Sequence, residues 1–208
     1  MTSHNCGDLL ELNDDSNYCR HFRMPLNFYD IDNYLSKPNL DEITRLVFLD
    51  IDGVLNFEGK NTSLESLQDF KWACSFNSNE HDKYLGIFPD LVAILNKLHS
   101  KYPDIRYVLS STWRSNYYGT IKYLKLQGFT GSIISRTKHR NEGIPYIRSE
   151  EIKDWLSYYN YTNDYIVIDD DDECLVFDNK LMHTDFSTGI TTKIIDRAID
   201  YFSNPPQS

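Results

Sequence analysis

An α/β fold, with a parallel sheet covered by helices on both faces, is what this sequence predicts, and three observations predict it. From Arg45 onward, short apolar runs alternate with stretches of helical periodicity. The clearest runs are apolar along their whole length, as strands buried on both faces are. Carboxylates and hydroxyls stand directly after several runs, where such sheets place their ligands.

The elements follow in order. Leu46–Leu49 (LVFL) is a buried strand ending at an Asp-rich turn. PDLVAILNKLHSKY is a helix with Leu91, Val92, Leu95 and Leu98 on one face, and Pro89 suits its first turn. Ile105–Leu109 is the next strand, and SNYYGTIKYLKLQ the next helix, stopped by Gly128. GSIIS is a short strand. Residues 149–159 form a helix with Ile152, Trp155, Leu156 and Tyr159 inward and Ser149 as its N-cap. Tyr165–Ile168 is a strand running into Asp169, and Leu181–His183 a weaker one. The last helix begins near Thr191 or Thr192, with Ile194, Ile195, Ala198, Ile199 and Phe202 as its apolar stripe. Residues 1–40 lack sustained periodicity and are read as a partly ordered N-terminal extension. Residues 41–208 then form one domain.

A chain of 208 residues buries roughly 70% of its unfolded surface and needs no disulfide or metal to hold a core. The formal net charge is −10, which argues against broad non-specific nucleic-acid binding. No apolar run reaches the ~20 residues of a membrane span. The N-terminus lacks the basic start and apolar centre of a secretory signal. Cys6, Cys19, Cys74 and Cys174 are scattered without a CxxC, which favours a reducing, cytoplasmic setting over a disulfide framework or a zinc site. Export of a bacterial or viral protein by another signal stays open.

The strand ends carry the chemistry. Asp50-Ile-Asp52-Gly53 follows the first strand, Ser110-Ser111-Thr112-Trp113-Arg114 the second, and Asp169 to Glu173 the strand YIVI. Clustered carboxylates repel one another and their pKa values rise, unless a cation neutralises them. Oxygen ligands select a hard ion, and a few carboxylates with open positions suit Mg²⁺. Beside such an ion, Asp50 can attack phosphorus while Asp52 holds a proton for the leaving group and later takes one from water. Gly53 permits a sharp turn. Ser110 or Ser111 offers a hydroxyl to a phosphoryl oxygen. Arg148, just before a helix start, offers charge and helix dipole to an anion. An EF-hand reading of the acidic run fails, because Cys174 and Lys180 stand where Gly and Glu are required.

These motifs resemble those of the haloacid dehalogenase (HAD) superfamily of phosphatases. FLDIDGVLN is similar to its first motif, VLSSTWR to its second, Arg148 in IRSEEIKDWL to its third and YIVIDDDDE to its fourth, in the same order along the chain. The closer resemblance is to the HAD domains of Swiss Army Knife RNA-repair proteins, including a TD…G(L/I)T segment, here Thr184 to Thr191. It spans roughly residues 45–202.

The resemblance implies a Rossmann-like three-layer sandwich with a mostly parallel sheet. It also implies a Mg²⁺ cofactor and an aspartyl-phosphate intermediate. Asp50 would be nucleophile and metal ligand, and Asp52 acid/base and metal ligand through its carbonyl. Ser110 and Arg148 would hold the phosphate, and Asp169 and Asp170 would complete the metal site. The second motif fits either Ser110 or Ser111, and any of Asp169, Asp170 and Asp171 can occupy the fourth. The Gly53–Pro89 stretch has room for a flap, and Ile134–Arg148 is too short for a large cap, so an open site is expected.

The expected substrate is a phosphomonoester, with RNA or DNA ends or nucleotides favoured over phosphoproteins and small metabolites. A catalytically silent HAD-like binding module and a DxD nucleotide-sugar transferase are the readings from other classes. Residues 106–148 carry Arg106, Arg114, Lys122, Lys125, Arg136, Lys138, Arg140 and Arg148 against Glu142, a net of +7. That segment is either scattered surface charge or a basic rim for a polyanion. Arg114 either approaches the site or pairs with an acid. Trp113 and Trp155 are expected to pack in the core or at its edge.

Overall fold

The computed structural model describes residues 40, 42–57, 86–138 and 147–205. The expected N-terminal extension, the centre of the flap stretch (58–85) and residues 139–146 lie outside the described residues.

Among the described residues, five strands form one parallel sheet. They are β1 (Arg45–Leu49), β2 (Arg106–Leu109), β3 (Ile133–Arg136), β4 (Asp164–Asp169) and β5 (Leu181–His183). The helices are α1 (Pro89–Lys101), α2 (Tyr117–Leu126), α3 (Arg148–Tyr159) and α4 (Thr192–Ser203). The spatial order β3-β2-β1-β4-β5 puts β1 at the centre. The chain runs outward from β1 to β3, then crosses back to lay β4 on the other side of β1, so the strand order reverses beside β1, where such sheets bind ligands.

The three layers follow from the period-two alternation of a strand. Leu46 and Phe48 of β1 face one side and join Val108, Val167, Ile152 and Trp155 in a single buried cluster, so α3 covers that face. The Trp155 ring meets Phe48 edge-on at 5.4 Å. On the other face α1 reaches the preceding residue of β2: His99 of α1 packs edge-on against Tyr107. Helix α4 lies against α1, buries Ile195, Ala198 and Phe202, and ties its end to Tyr102 through the Ile199 carbonyl and the Ser203 hydroxyl. Both sides of β1 are therefore dry, which is why it reads as an uninterrupted apolar run.

The helix ends refine the reading from sequence. Pro89 does open α1, and the Thr191 hydroxyl does cap α4 by accepting the Ile194 N–H. Gly128 ends the α2 segment at φ 91°, a left-handed conformation. The helix expected from Ser115 begins later, because Thr112–Asn116 forms a 3₁₀ turn and the Asn116 side chain caps α2 at the Gly119 N–H. Ser149 is not the N-cap of α3. Arg148 is already the first helical residue, and its N–H donates to a Glu173 carboxylate oxygen at 3.1 Å. The cap thus comes from across the fold, and the helix dipole at this end engages Glu173. No helix among the described residues is long and apolar enough to cross a membrane.

Candidate active site

Parallel strands in register bring their ends to one edge. Leu49 of β1 pairs with Leu109 and with Ile168. The next residues, Asp50, Ser110 and Asp169, therefore form a row, with Asp50 in the middle. The Asp50 N–H donates to the Ile168 carbonyl and the Ser110 N–H to the Leu49 carbonyl. Three residues far apart in sequence become neighbours because the sheet ladder continues one position past β1 and β2, level with Asp169, the last residue of β4.

Oxygen atoms of Asp50, Asp169 and Asp170 lie within 4.8 Å of one another. Asp50 and Asp169 are buried, Asp170 half-buried. Arg148, itself buried, reaches between them: its Nη1 donates to Asp50 at 2.5 Å and to Asp169 at 3.0 Å. Its guanidinium, and not the helix dipole, is thus what the third motif brings to the site. Burial pushes the Asp170 carboxyl up to about 6, with the charge of Asp50 adding to the shift. Burial and Asp50 likewise raise the Asp169 carboxyl, against the pull of Arg148. One arginine leaves three carboxylates under-compensated, and an all-oxygen cluster of this kind fits a hard divalent cation.

Asp171 does not join the cluster. Its side chain accepts the Glu173 N–H and caps the following 3₁₀ turn, while its own N–H donates to Asp169. Of the acidic run, Asp169 and Asp170 are the pair that faces Asp50. The two serines also separate. The Ser111 hydroxyl accepts the Trp113 N–H at the start of the 3₁₀ turn. The Ser110 hydroxyl is fully buried and has no partner among the described residues. A buried hydroxyl without a partner is costly unless a ligand supplies one.

Asp52 opens the turn of residues 52–55 and is half-buried. Its carboxylate accepts from the Asn56 Nδ2 at 2.8 Å and from the Trp113 Nε1 at 3.0 and 3.1 Å. Burial raises the carboxyl above its ordinary value; the Asn56 hydrogen bond opposes this, and the charge of Asp50 adds to it. Asn56 also accepts the Gly53 N–H through its Oδ1, so one side chain holds both the Asp52 carboxylate and the backbone just after it. Gly53 is required twice over. Its φ is +69°, and a Cβ there would lie 2.3 Å from the Asp170 carboxyl carbon.

The TD…GIT segment acts as a clamp on this turn. Thr184 donates its hydroxyl proton to the Gly53 carbonyl at 2.8 Å, and the Ile190 N–H donates to the Val54 carbonyl at 2.8 Å. Gly189, at φ +68°, leaves no room for a Cβ against that carbonyl and Leu91.

Neither Trp113 nor Asn56 was expected at the site from sequence. A tryptophan four residues past a strand end carries no signal of its own, because its target lies 61 residues away. The basic segment also reads differently in three dimensions. Arg114 is fully buried: it pairs with Glu151 at 2.7 Å and donates to the carbonyls of Ser110 and Ser111. Arg136 is buried and donates to the Arg114 carbonyl. Arg106 bonds the carbonyls of Pro103 and Ile105 at the opposite ends of the strands. Arg114 and Arg136 are therefore internal struts and not surface charge, while Lys125 and Lys138 of the same segment are exposed.

A parallel sheet with a DxDG turn after its central strand, acids after the neighbouring strand and an arginine joining them defines a HAD-superfamily domain. Residues 46–195 match the family described as "HAD domain in Swiss Army Knife RNA repair proteins", and the chain belongs to that family. Membership gives a phosphatase-like, hydrolase-type domain. No curated protein and no solved structure matches the chain.

The raised carboxyls give a pH prediction. Groups held above their ordinary value of 3.8 bind more protons folded than unfolded. They therefore stabilise the fold at low pH, and that stability is lost as pH rises through about 6. A divalent cation binds the ionised cluster and offsets the loss. Without metal, the melting temperature should fall between about pH 5 and about pH 7.5, and added Mg²⁺ should raise it more at the higher pH. Melting curves in chelator and in Mg²⁺ at both values test this; equal Mg²⁺ shifts would contradict it.

Proposed function

We propose that this domain is a Mg²⁺-dependent phosphomonoesterase that works through an aspartyl-phosphate on Asp50. The observation that carries the reading is the meeting of Asp50, Asp169 and Asp170 with Arg148 beside a buried Ser110 hydroxyl without a partner. Asp50, Asp169, Asp170 and the Asp52 carbonyl would hold the ion. When bound, it would neutralise the carboxylates and polarise a phosphoryl oxygen.

The residues divide the remaining work. A carboxylate oxygen of Asp50 bonds to phosphorus as the phosphorus–ester bond breaks. The electron pair leaves with the ester oxygen, which takes the proton held by Asp52. Water then attacks the same phosphorus and gives a proton to Asp52, and the bond to Asp50 breaks, restoring both carboxyl groups. Ser110 and Arg148 hold the phosphoryl oxygens through both steps. Such a site works chiefly by positioning and electrostatic stabilisation.

The phosphate is proposed to be carried by RNA, DNA or a nucleotide, and this part rests on the family's description. A panel of 3′- and 5′-phosphorylated RNA and DNA, nucleotides, sugar phosphates and a phosphopeptide, assayed for phosphate release with and without Mg²⁺, tests both parts. Nucleic-acid or nucleotide phosphates should show the highest kcat/KM. A clear preference for the peptide or a sugar phosphate would overturn the substrate, and absence of turnover on all of them would overturn the activity.

A further inference from the structure

We infer that Trp113 is a positioning residue for Asp52, and that with Asn56 it decides which oxygen of that carboxyl carries the transferable proton. The inference deepens the phosphatase reading and rests on it. Two donors meet the Asp52 carboxyl. Asn56 Nδ2 donates to Oδ1 alone, at 2.8 Å, and the Trp113 indole N–H spans both oxygens at 3.1 and 3.0 Å. Oδ1 thus receives two contacts and Oδ2 one. A proton takes the oxygen with the freer lone pair, so it resides on Oδ2. The donors also stop the carboxyl from rotating, and a general acid must be held within hydrogen-bond reach of the atom it protonates.

The indole is itself held on a rigid frame. Its ring stacks on the buried Tyr123, with planes 7° apart and centroids 6.3 Å apart. The backbone carbonyl of Trp113 accepts the Thr120 hydroxyl at 2.8 Å, and its backbone N–H donates to the Ser111 hydroxyl. Arg114, the next residue, is anchored by Glu151 and by the carbonyls of Ser110 and Ser111. The same loop therefore carries the buried Ser110 hydroxyl and the donor that aims Asp52. In the proposed reaction one loop sets the phosphate and the acid relative to each other.

A role in proton donation has a signature that a merely structural role lacks. An acidic phenol departs without help, whereas an alkoxide needs its proton. The value of kcat/KM reports the steps through formation of the phospho-enzyme, where that proton is given. Trp113→Phe keeps an aromatic ring over Tyr123 and deletes the N–H; Asn56→Ala deletes the other donor. Each variant, checked for folding by circular dichroism and melting, is assayed on p-nitrophenyl phosphate and on glycerol 2-phosphate. Trp113→Phe should lower kcat/KM on the alkyl ester by on the order of 10- to 100-fold, and by about tenfold less on the nitrophenyl ester. Asn56→Ala should show the same bias. In an Asp52→Asn background Trp113→Phe should add little further loss on the alkyl ester, because the proton it positions is gone. Equal losses on the two esters, or an undiminished effect in the Asp52→Asn background, would overturn the inference and leave the phosphatase reading standing. A wild-type protein inert toward both esters would overturn that reading and the inference with it.

Discussion

Asparagine at position 50 is expected to abolish phosphate release while leaving the fold intact. The amide has the shape of the carboxylate, and its carbonyl can still accept the Arg148 guanidinium that now lies 2.5 Å from Asp50. It cannot form an acyl phosphate. The loss in kcat should therefore reach on the order of 10³-fold or more, as when other covalent nucleophiles are deleted. Stability should move the other way in metal-free buffer. The charge of Asp50 is the second cause, after burial, of the raised carboxyls of Asp169 and Asp170. Removing it relieves repulsion inside a cluster that one arginine only partly offsets. The variant should melt no lower than wild type in chelator near neutral pH, and gain less from Mg²⁺. Turnover at the wild-type rate, with contamination excluded, would falsify Asp50 as the nucleophile.

The sheet and the central acids were legible in the sequence for one reason. A strand buried on both faces must be apolar throughout, so a charged residue marks its end. In a parallel sheet all those ends lie on one side. Asp50 and Asp169 could thus be placed together without knowing the strand order. Choices among neighbours were not legible, because they are settled by contacts distant in sequence. Ser110 and Ser111 are identical residues at a strand end. Only the 3₁₀ turn that begins at Thr112, and takes Ser111 as its cap, separates them. Asp171 leaves the acidic cluster for the same reason, as a cap for the turn that follows.

Charge counts failed where burial decides. A window over residues 106–148 sums to +7 and leaves out Glu151, the buried acid that pairs with Arg114. Arg114 and Arg136 are counted as surface charge although both are buried. Ser149 has the right residue type and place for an N-cap, yet the N–H of Arg148 is met by Glu173, 25 residues later. Local rules propose a cap and tertiary contacts select one. The SSTWR loop, the Arg114–Glu151 pair and the TD…GIT segment all support the reactive groups through contacts that only the fold creates.

The Arg114–Glu151 pair carries the other large expected effect. Both side chains are fully excluded from solvent and lie 2.7 Å apart. Alanine at Glu151 removes a fully buried carboxylate from beside the Arg114 guanidinium, and breaking a buried pair in this way costs about 3–5 kcal/mol. In a domain of this size that corresponds to a drop in melting temperature of roughly 6–20 °C. The Arg45–Asp104 pair makes a useful contrast. Its side chains are 28% and 38% exposed, so Asp104→Asn should cost no more than about 1 kcal/mol. If Glu151→Ala melts like Asp104→Asn, water reaches Arg114 and the pair is not a strut. A second variant separates stability from positioning. Replacing both partners with apolar residues, Arg114→Met with Glu151→Leu, removes the buried charges together and should recover much of the lost stability. It should not recover phosphate release. Without the Arg114 guanidinium the Ser110 carbonyl loses a 2.5 Å donor, and the Ser111 carbonyl is left with the backbone N–H at position 114. Helix α3, which begins at Arg148, loses its tie to that loop. A double variant that is stable and slow would show that the pair is kept for the placement of Ser110 and Arg148 rather than for the fold.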